Sequence, residues 1–259
     1  EYMCYDIKAS LEAQLKRATR NQDLKAIEEI IEKLAPLTDL PLYHASGFSH
    51  PEVLIYTNED PFYPIVGTWG LIPHWVKSVE QQKKIWNNTL NARVETIFGK
   101  PAFRDAATDK RCILYVDGFY EHHHYKNQVY PFFIQRTNNE PLALAALWSE
   151  WINPDDGGII KSFSIVTTKG NTVMSKIHNN PKLNEPRMPL MLSDAMEEQW
   201  LTSSNDFENE IEELLSVDNE VVLNTYTVGK LRGKNYIGNV ISVSDEVVYK
   251  ELEAEELNL

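Results

Sequence analysis

The sequence predicts an α+β fold: one compact domain with a mainly antiparallel β-sheet or barrel core and peripheral helices. Three observations carry this expectation. Short runs rich in Val, Ile, Tyr and Phe, bounded by Gly, Pro, Asn and Asp, recur along the chain. Regular helical patterns do not alternate with them, which argues against a doubly wound parallel sheet. No repeat and no Pro/Gly/Ser-rich linker divides the 259 residues, a length that one large domain accommodates. Residues 3–259 are taken as that domain.

The elements follow in order. Residues 8–20 and 22–35 read as two short helices. In the second, Leu24, Ile27, Ile30, Ile31 and Leu34 recur at helical spacing, with Asn21 as N-cap and Pro36 as stop. Strands are expected at 53–56, 112–116, 130–135, 142–148, 163–168, 188–192, 221–227 and 240–243. Ser193 caps a helix over 194–201, and 207–215 forms another.

Hydrophobic residues make up 42% of the chain and charged residues 24%, which is globular composition. No apolar run approaches the ~18 residues of a membrane span. Charged residues occur throughout the first thirty positions, so no secretory h-region is expected there. Two cysteines, Cys4 and Cys112, do not make a disulfide framework, and a monomer in the reducing cytoplasm is expected. The net charge of -13 argues at first against a nucleic-acid partner. Its distribution changes that. Residues 194–259 hold 16 acidic and 4 basic residues, whereas residues 1–193 hold 22 and 21. A near-neutral body can still gather a local basic groove, without a global field that steers DNA.

Several residues are chemically suggestive. Cys4 follows Met3, the expected initiator, with Glu1 and Tyr2 as additions before it. Removal of everything before Cys4 gives one residue carrying both an amine and a thiol, with reference pKa values of ~8 and ~8.5. Such an aminothiol condenses with an aldehyde: imine first, then ring closure by sulfur. Arg93, in Asn91-Ala92-Arg93-Val94-Glu95-Thr96, offers a fork for phosphate or an ion pair with an acid such as Glu95. Trp69 and Trp75 suit either base stacking or a core cluster. Glu121 follows the apolar strand ending at Val116 and the turn at Gly118. Half-buried beside Phe119 and Tyr120 it acquires a raised pKa and shuttles protons; on the surface it does neither. His122, His123 and His124 alternate faces along a strand, so they read as rim histidines and not as a metal site. His178, after a short helix or turn, suits acid–base work near neutral pH. Cys112 reads as a buried thiol. Glycine-rich phosphate loops, His-Glu-x-x-His, paired Cys-x-x-Cys and Gly-x-Ser-x-Gly are all missing, so no cofactor or metal is expected.

The order of these clusters is more specific than any one of them. Met3-Cys4, Trp69-Gly70-Leu71-Ile72-Pro73, Asn91-Ala92-Arg93-x-Glu95-Thr96, Arg111-Cys112 followed by Gly118-Phe119-Tyr120-Glu121, Thr167-Thr168, Ile177-His178 and Arg187-Met188-Pro189 occur in the order of one family. The chain resembles the SRAP family, the SOS response-associated peptidase or abasic-site processing proteins, from Met3 to about Leu201. The resemblance implies a β-rich domain that binds single-stranded DNA containing abasic sites in the DNA damage response and crosslinks to it through an N-terminal cysteine. It makes Cys4 the nucleophile, Asn91 its positioning residue, and Glu121 and His178 the proton carriers. It sets Arg93, Thr167 and Arg187 on DNA phosphates and Trp69 in the groove. The imine route also permits lyase activity. A cysteine peptidase that removes residues before Cys4, and a noncovalent DNA-binding protein, are the alternative readings. The chain departs from the family pattern at Tyr5-Asp6, where Gly-Arg is usual, at His122, where Trp is usual, and in the long spacing 179–186 before Arg187.

Overall fold

The computed structural model describes residues 5–182, 184–202, 208, 211 and 221–253. Two sheets dominate. In the larger, β3 (Glu52–Thr57), β4 (Ile65–Trp69), β6 (Arg111–Val116), β9 (Leu142–Ile152) and β10 (Ile159–Lys169) form a closed ring. β4 pairs with β3, β3 with β6, β6 with β9 and β9 with β10, all antiparallel, and β10 returns to β4 in parallel. Closure removes free edges from these strands. Short strands β5 (Asn91–Arg93) and β11 (Arg187–Pro189) pair with β10, and β12 (Met191–Leu192) pairs with β9. The second sheet is antiparallel and runs β13 (Leu223–Thr227), β8 (Gln128–Arg136), β7 (Gly118–Tyr125), β1 (Asp6–Ala9), β2 (Leu42–Ser46). The expected α+β class with a largely antiparallel, barrel-like core is what the structure shows.

Strand periodicity divides the core. On β6, Cys112, Leu114 and Val116 join the cluster shared with the second sheet, which contains Ile7, Phe119 and Ile134. Ile113 and Tyr115 join the other cluster, beneath α5 (Arg104–Asp109) and α7 (Asp194–Leu201). Apolar side chains on both faces explain why Arg111–Val116 and the first eight residues of β9 are continuously buried. Cys112 is fully buried and burial pushes its thiol pKa up, as expected of a packing cysteine.

Several elements differ from expectation. Residues 6–9 are strand, and the first helix starts only at Leu11, capped by the Ser10 hydroxyl, which accepts the Ala13 N–H at 3.1 Å. Asp23, not Asn21, caps the next helix. That helix passes through a π turn at Ile30–Leu34 and a 3-10 turn at Ala35–Leu37, so Pro36 sits in its last turn. The expected strand at 240–243 is a 3-10 turn, Ile241–Ser244, with Ile241 exposed. The helix at Asp194–Leu201 lies where expected, but Ser193 makes no side-chain cap. The helix expected at 207–215 lies, apart from Glu208 and Ile211, outside the described residues. Among the described residues no helix is long and apolar enough to cross a membrane.

A buried charge cluster fastens the amino-terminal helices to the ring. Glu197 on α7 is fully buried, with Oε2 2.8 Å from Arg20, 3.4 Å from Arg17 and 2.6 Å from the Tyr115 hydroxyl. Removing one member of such a cluster strands the others without compensation. Glu197→Ala is therefore expected to cost about 3–5 kcal/mol. In a domain of this size that is roughly a 10 °C drop in Tm by calorimetry. A drop of a degree or two would mean that water replaces the carboxylate.

Candidate active site

The site is built around β7. Gly118 opens this strand because the chain passes too close to β8 for a side chain: a Cβ there would lie 2.5 Å from the Phe133 ring. Asp117, just before it, holds the start of the first helix, accepting from the Ser10 N–H at 2.6 Å and the Ser10 hydroxyl at 2.9 Å. β7 is thus pinned at its start, and three residues on it delivers Glu121.

Glu121 is 5% exposed. One carboxylate oxygen accepts the His122 N–H at 2.9 Å. The other, Oε2, is buried with no hydrogen-bond partner among the described residues. It lies 3.7 Å from Nδ1 of His178. Burial pushes the Glu121 pKa up to about 7, against the opposing pull of His178, the His122 N–H and Arg232. The expected raised pKa is present, with burial fuller than half.

His178 follows α6 (Thr172–Ile177), whose N-cap Asn171 accepts the Met174 N–H at 2.9 Å. The imidazole is buried, with Nδ1 2.8 Å from the Arg187 carbonyl oxygen. The same nitrogen lies 3.2 Å from the Arg187 N–H, so the ring is held against both backbone polar groups of Arg187. The contact also explains how the chain tolerates the long spacing. His178 and Arg187, which flank the inserted positions, meet through ring and backbone. Asn179 ties the excursion to β7, its side chain bonding the His124 N–H at 2.7 Å and carbonyl at 3.0 Å.

Glu121 and His178 line a cleft of about 820 Å³. Tyr5, next in sequence to Cys4, lines it too, as do His122, His124 and Arg232. The β1–β7 ladder places Asp6 opposite Tyr120 and Ile7 opposite Phe119, so one step back from Asp6 runs beside Glu121. Cys4 itself lies outside the described residues. His122 and His124 are rim residues as expected, and burial pushes the His122 pKa down to about 4. His123 is not: it is buried, with Nδ1 2.9 Å from the Lys176 carbonyl.

The remaining candidates lie on strands of the larger sheet. Asn91 is buried at the start of β5, opposite Ile165, and Arg93 ends that strand opposite Thr167. Trp69 is fully buried, its indole N–H donating to the Leu90 carbonyl at 2.8 Å and its ring parallel to Phe163. It has no face for a base, which corrects the groove assignment. Arg187 is also corrected. It is 1% exposed and grips both Glu95 oxygens at 2.8 Å, with Glu185 at 3.1 Å and the Thr167 carbonyl at 2.8 Å. Its fork is occupied by carboxylates, and the Glu95 pKa is lowered by this pairing despite burial. Thr167 is buried beneath it and out of reach of a phosphate. These two residues brace β5 against β10 and β11. Among the described residues no cluster of three or more metal-ligating side chains occurs.

A family model described as SOS response associated peptidase (SRAP) matches residues 3–234. The abasic site processing protein YoqW of Bacillus subtilis (strain 168) is 34% identical over 165 residues, covering 63% of this chain and 68% of YoqW. The abasic site processing protein HMCES of Pongo abelii is 26% identical over 275 residues, covering 93% of this chain and 75% of HMCES. A solved structure from Bacteroides thetaiotaomicron superposes with a TM-score of 0.79 at 28% identity, covering 95% of this chain and all of the other. One from Bordetella bronchiseptica, at 21% identity and a TM-score of 0.66 over 87% of this chain and 99% of its own, shares the fold. Motif order, architecture and a family match over most of its length agree: the chain belongs to the SRAP family.

Proposed function

We propose that this protein recognises abasic sites in single-stranded DNA and links to them covalently through Cys4. One observation carries the reading. A buried carboxylate oxygen of Glu121 lacks a hydrogen-bond partner among the described residues, at the floor of a cleft that Tyr5 also lines. Leaving such an atom unpaired is costly, and a cationic amine is the group that best relieves it. Cys4 is one peptide bond away from Tyr5.

The chemistry balances without a cofactor. The abasic sugar opens to an aldehyde at C1′. The Cys4 amine adds to that carbon, and the resulting hydroxyl leaves as water when Glu121 in its acid form supplies a proton, giving an imine. The Cys4 thiol then adds across the C=N bond: sulfur bonds C1′ and the thiol proton passes to nitrogen. The product is a thiazolidine. His178, held by the Arg187 carbonyl, assists the sugar opening. A lesion without a base avoids the cost of flipping one out, and a single strand avoids unpairing. Asn91 and Arg93 remain assigned to positioning the nucleophile and to DNA phosphate. The test is the intact mass, after incubation with an oligonucleotide containing one abasic site, of a chain beginning at Cys4. An adduct of protein plus oligonucleotide minus water supports the reading. Its absence with a folded protein overturns it.

Arg93→Ala is expected to weaken binding to single strands of any sequence and to flatten the salt dependence by about one counterion. An unchanged slope in a salt titration would assign Arg93 to the ion-pair lattice of Glu95 and Arg187 instead.

A further inference from the structure

We infer that Arg232 supplies the phosphate contact next to the lesion, a role that rests on the single-stranded DNA reading above. Asp6 is buried on β1, and its Oδ2 lies 3.0 Å from Nη2 of Arg232 and its Oδ1 3.3 Å from Nε2 of His44. An anion at this depth beside the cleft repels a phosphodiester unless a cation covers it. Arg232 covers it from a side chain that is 56% exposed. Among the described residues Asp6 is its one side-chain partner, which leaves most of a five-donor fork for another anion.

Charge patterning isolates the same residue. Residues 194–259 hold 4 basic residues, and Lys230, Arg232 and Lys234 fall within one pentapeptide of that acidic quarter. Of these, Lys230 and Arg232 line the cleft. Lys230 is already engaged: its ammonium donates to the Val129 carbonyl and sits 4.9 Å from the Tyr130 ring centroid. Lys182, on the excursion after His178, also lines the cleft but is an exposed, flexible point charge. Arg232 is the cation that a buried carboxylate holds in place. It also lines a second hollow of about 720 Å³ with His44, Ser46 and Tyr236. The two hollows meet at Arg232. A strand whose abasic sugar reaches Glu121 in the first passes its neighbouring phosphate over this guanidinium into the second.

The test uses single strands with a tetrahydrofuran lesion, which has no aldehyde, so affinity is read without the covalent step. Arg232→Gln is expected to weaken Kd about tenfold and to lower the salt slope by about one, with Arg232→Lys intermediate. Asp6→Asn is expected to tighten binding, because the amide oxygen can still accept from Arg232 and hold it while the competing negative charge is gone. A merely structural pair would make the Asp6 and Arg232 variants err in the same direction. Methylphosphonate substitution of each phosphate flanking the lesion should cost the parent protein at one position where Arg232→Gln loses nothing more. Equal losses in both proteins at every position, or an Arg232→Gln variant that binds like the parent, overturn the assignment. A true abasic oligonucleotide run in parallel reports the covalent reading separately. Parent protein that binds the tetrahydrofuran strand but forms no adduct sinks that reading and leaves Arg232 standing. A parent that binds neither strand sinks both.

Discussion

A Cys4→Ala chain, processed to begin at residue 4, is expected to give no SDS-stable adduct with an abasic oligonucleotide, whereas Cys112→Ala gives full adduct. Only Cys4 can carry amine and thiol on adjacent carbons. Cys112 is fully buried, and burial keeps its thiol protonated. Its replacement removes one packed sulfur from the core and costs stability alone. Cys4→Ser separates the two halves of the chemistry. It keeps the amine, so borohydride should still trap an imine, but it forms no durable thiazolidine. Intact mass before the reaction adds a second reading, since retained residues 1–3 leave no free amine on Cys4. A folded Cys112→Ala protein unable to crosslink, or Cys4→Ala that crosslinks, would reverse the assignment.

The second large effect falls on Glu121 and His178. Each single variant, Glu121→Gln or His178→Ala, should slow crosslinking by ~10²–10⁴-fold, the range of positioned acid–base groups, with DNA binding retained. Glu121 titrates at about 7, so the inflection near neutral pH should vanish in Glu121→Gln. The stability consequence has the opposite sign. The native pKa stands above the ordinary 4.5, so the folded state binds the proton more tightly than the unfolded chain does. Stability is then lost as pH rises from about 4.5 through about 7. Glutamine mimics the protonated acid and escapes that loss. At alkaline pH, Glu121→Gln should be more stable than the parent by about 3 kcal/mol, at 1.36 kcal/mol per pKa unit, while being far slower. The gap should close in acid. Equal melting curves at both pH values, or a full-rate double variant, would remove Glu121 from the mechanism.

Much of this was legible in the residues, for identifiable reasons. Strands 142–148 and 163–168 announced themselves because both faces are buried and every position is apolar or small. β1 and β7 did not. Asp6-Ile7-Lys8-Ala9 alternates charge with aliphatics over only four residues, and in β7 the alternation of the three histidines was legible but the strand's full extent, Gly118–Tyr125, was not, because its polar second half pairs with β8 rather than forming an apolar run. The apolar run at 240–243 misled because the chain there ends in a 3-10 turn with its largest aliphatic exposed. At the site, Glu121 and His178 were recognisable through the order of motifs, but not their approach, since 57 positions separate them in sequence. Arg187 and Trp69 show the opposite limit. A guanidinium fork fits a carboxylate as well as a phosphate, and an indole fills a core as well as it stacks on a base. Residue type names the interaction and not the partner. The Asp6–Arg232 pair, 226 residues apart in sequence, had no local signature beyond an isolated basic stretch in an acidic tail.

The position of β1 has a consequence for biosynthesis. This strand is made before either of its partners, yet it sits inside its sheet, hydrogen-bonded to β2 on one side and to β7 on the other. Its neighbour at Tyr120 emerges from the ribosome more than a hundred residues later, after several seconds of translation. Until then Tyr5 has no cleft to line and no Glu121 across it. An aminothiol at that end would meet cellular aldehydes only as a free peptide does, slowly and without proton carriers. Under the proposed chemistry the reactive assembly is completed only when β7 joins β1, and a truncated copy lacking β7 is expected to form no adduct with DNA.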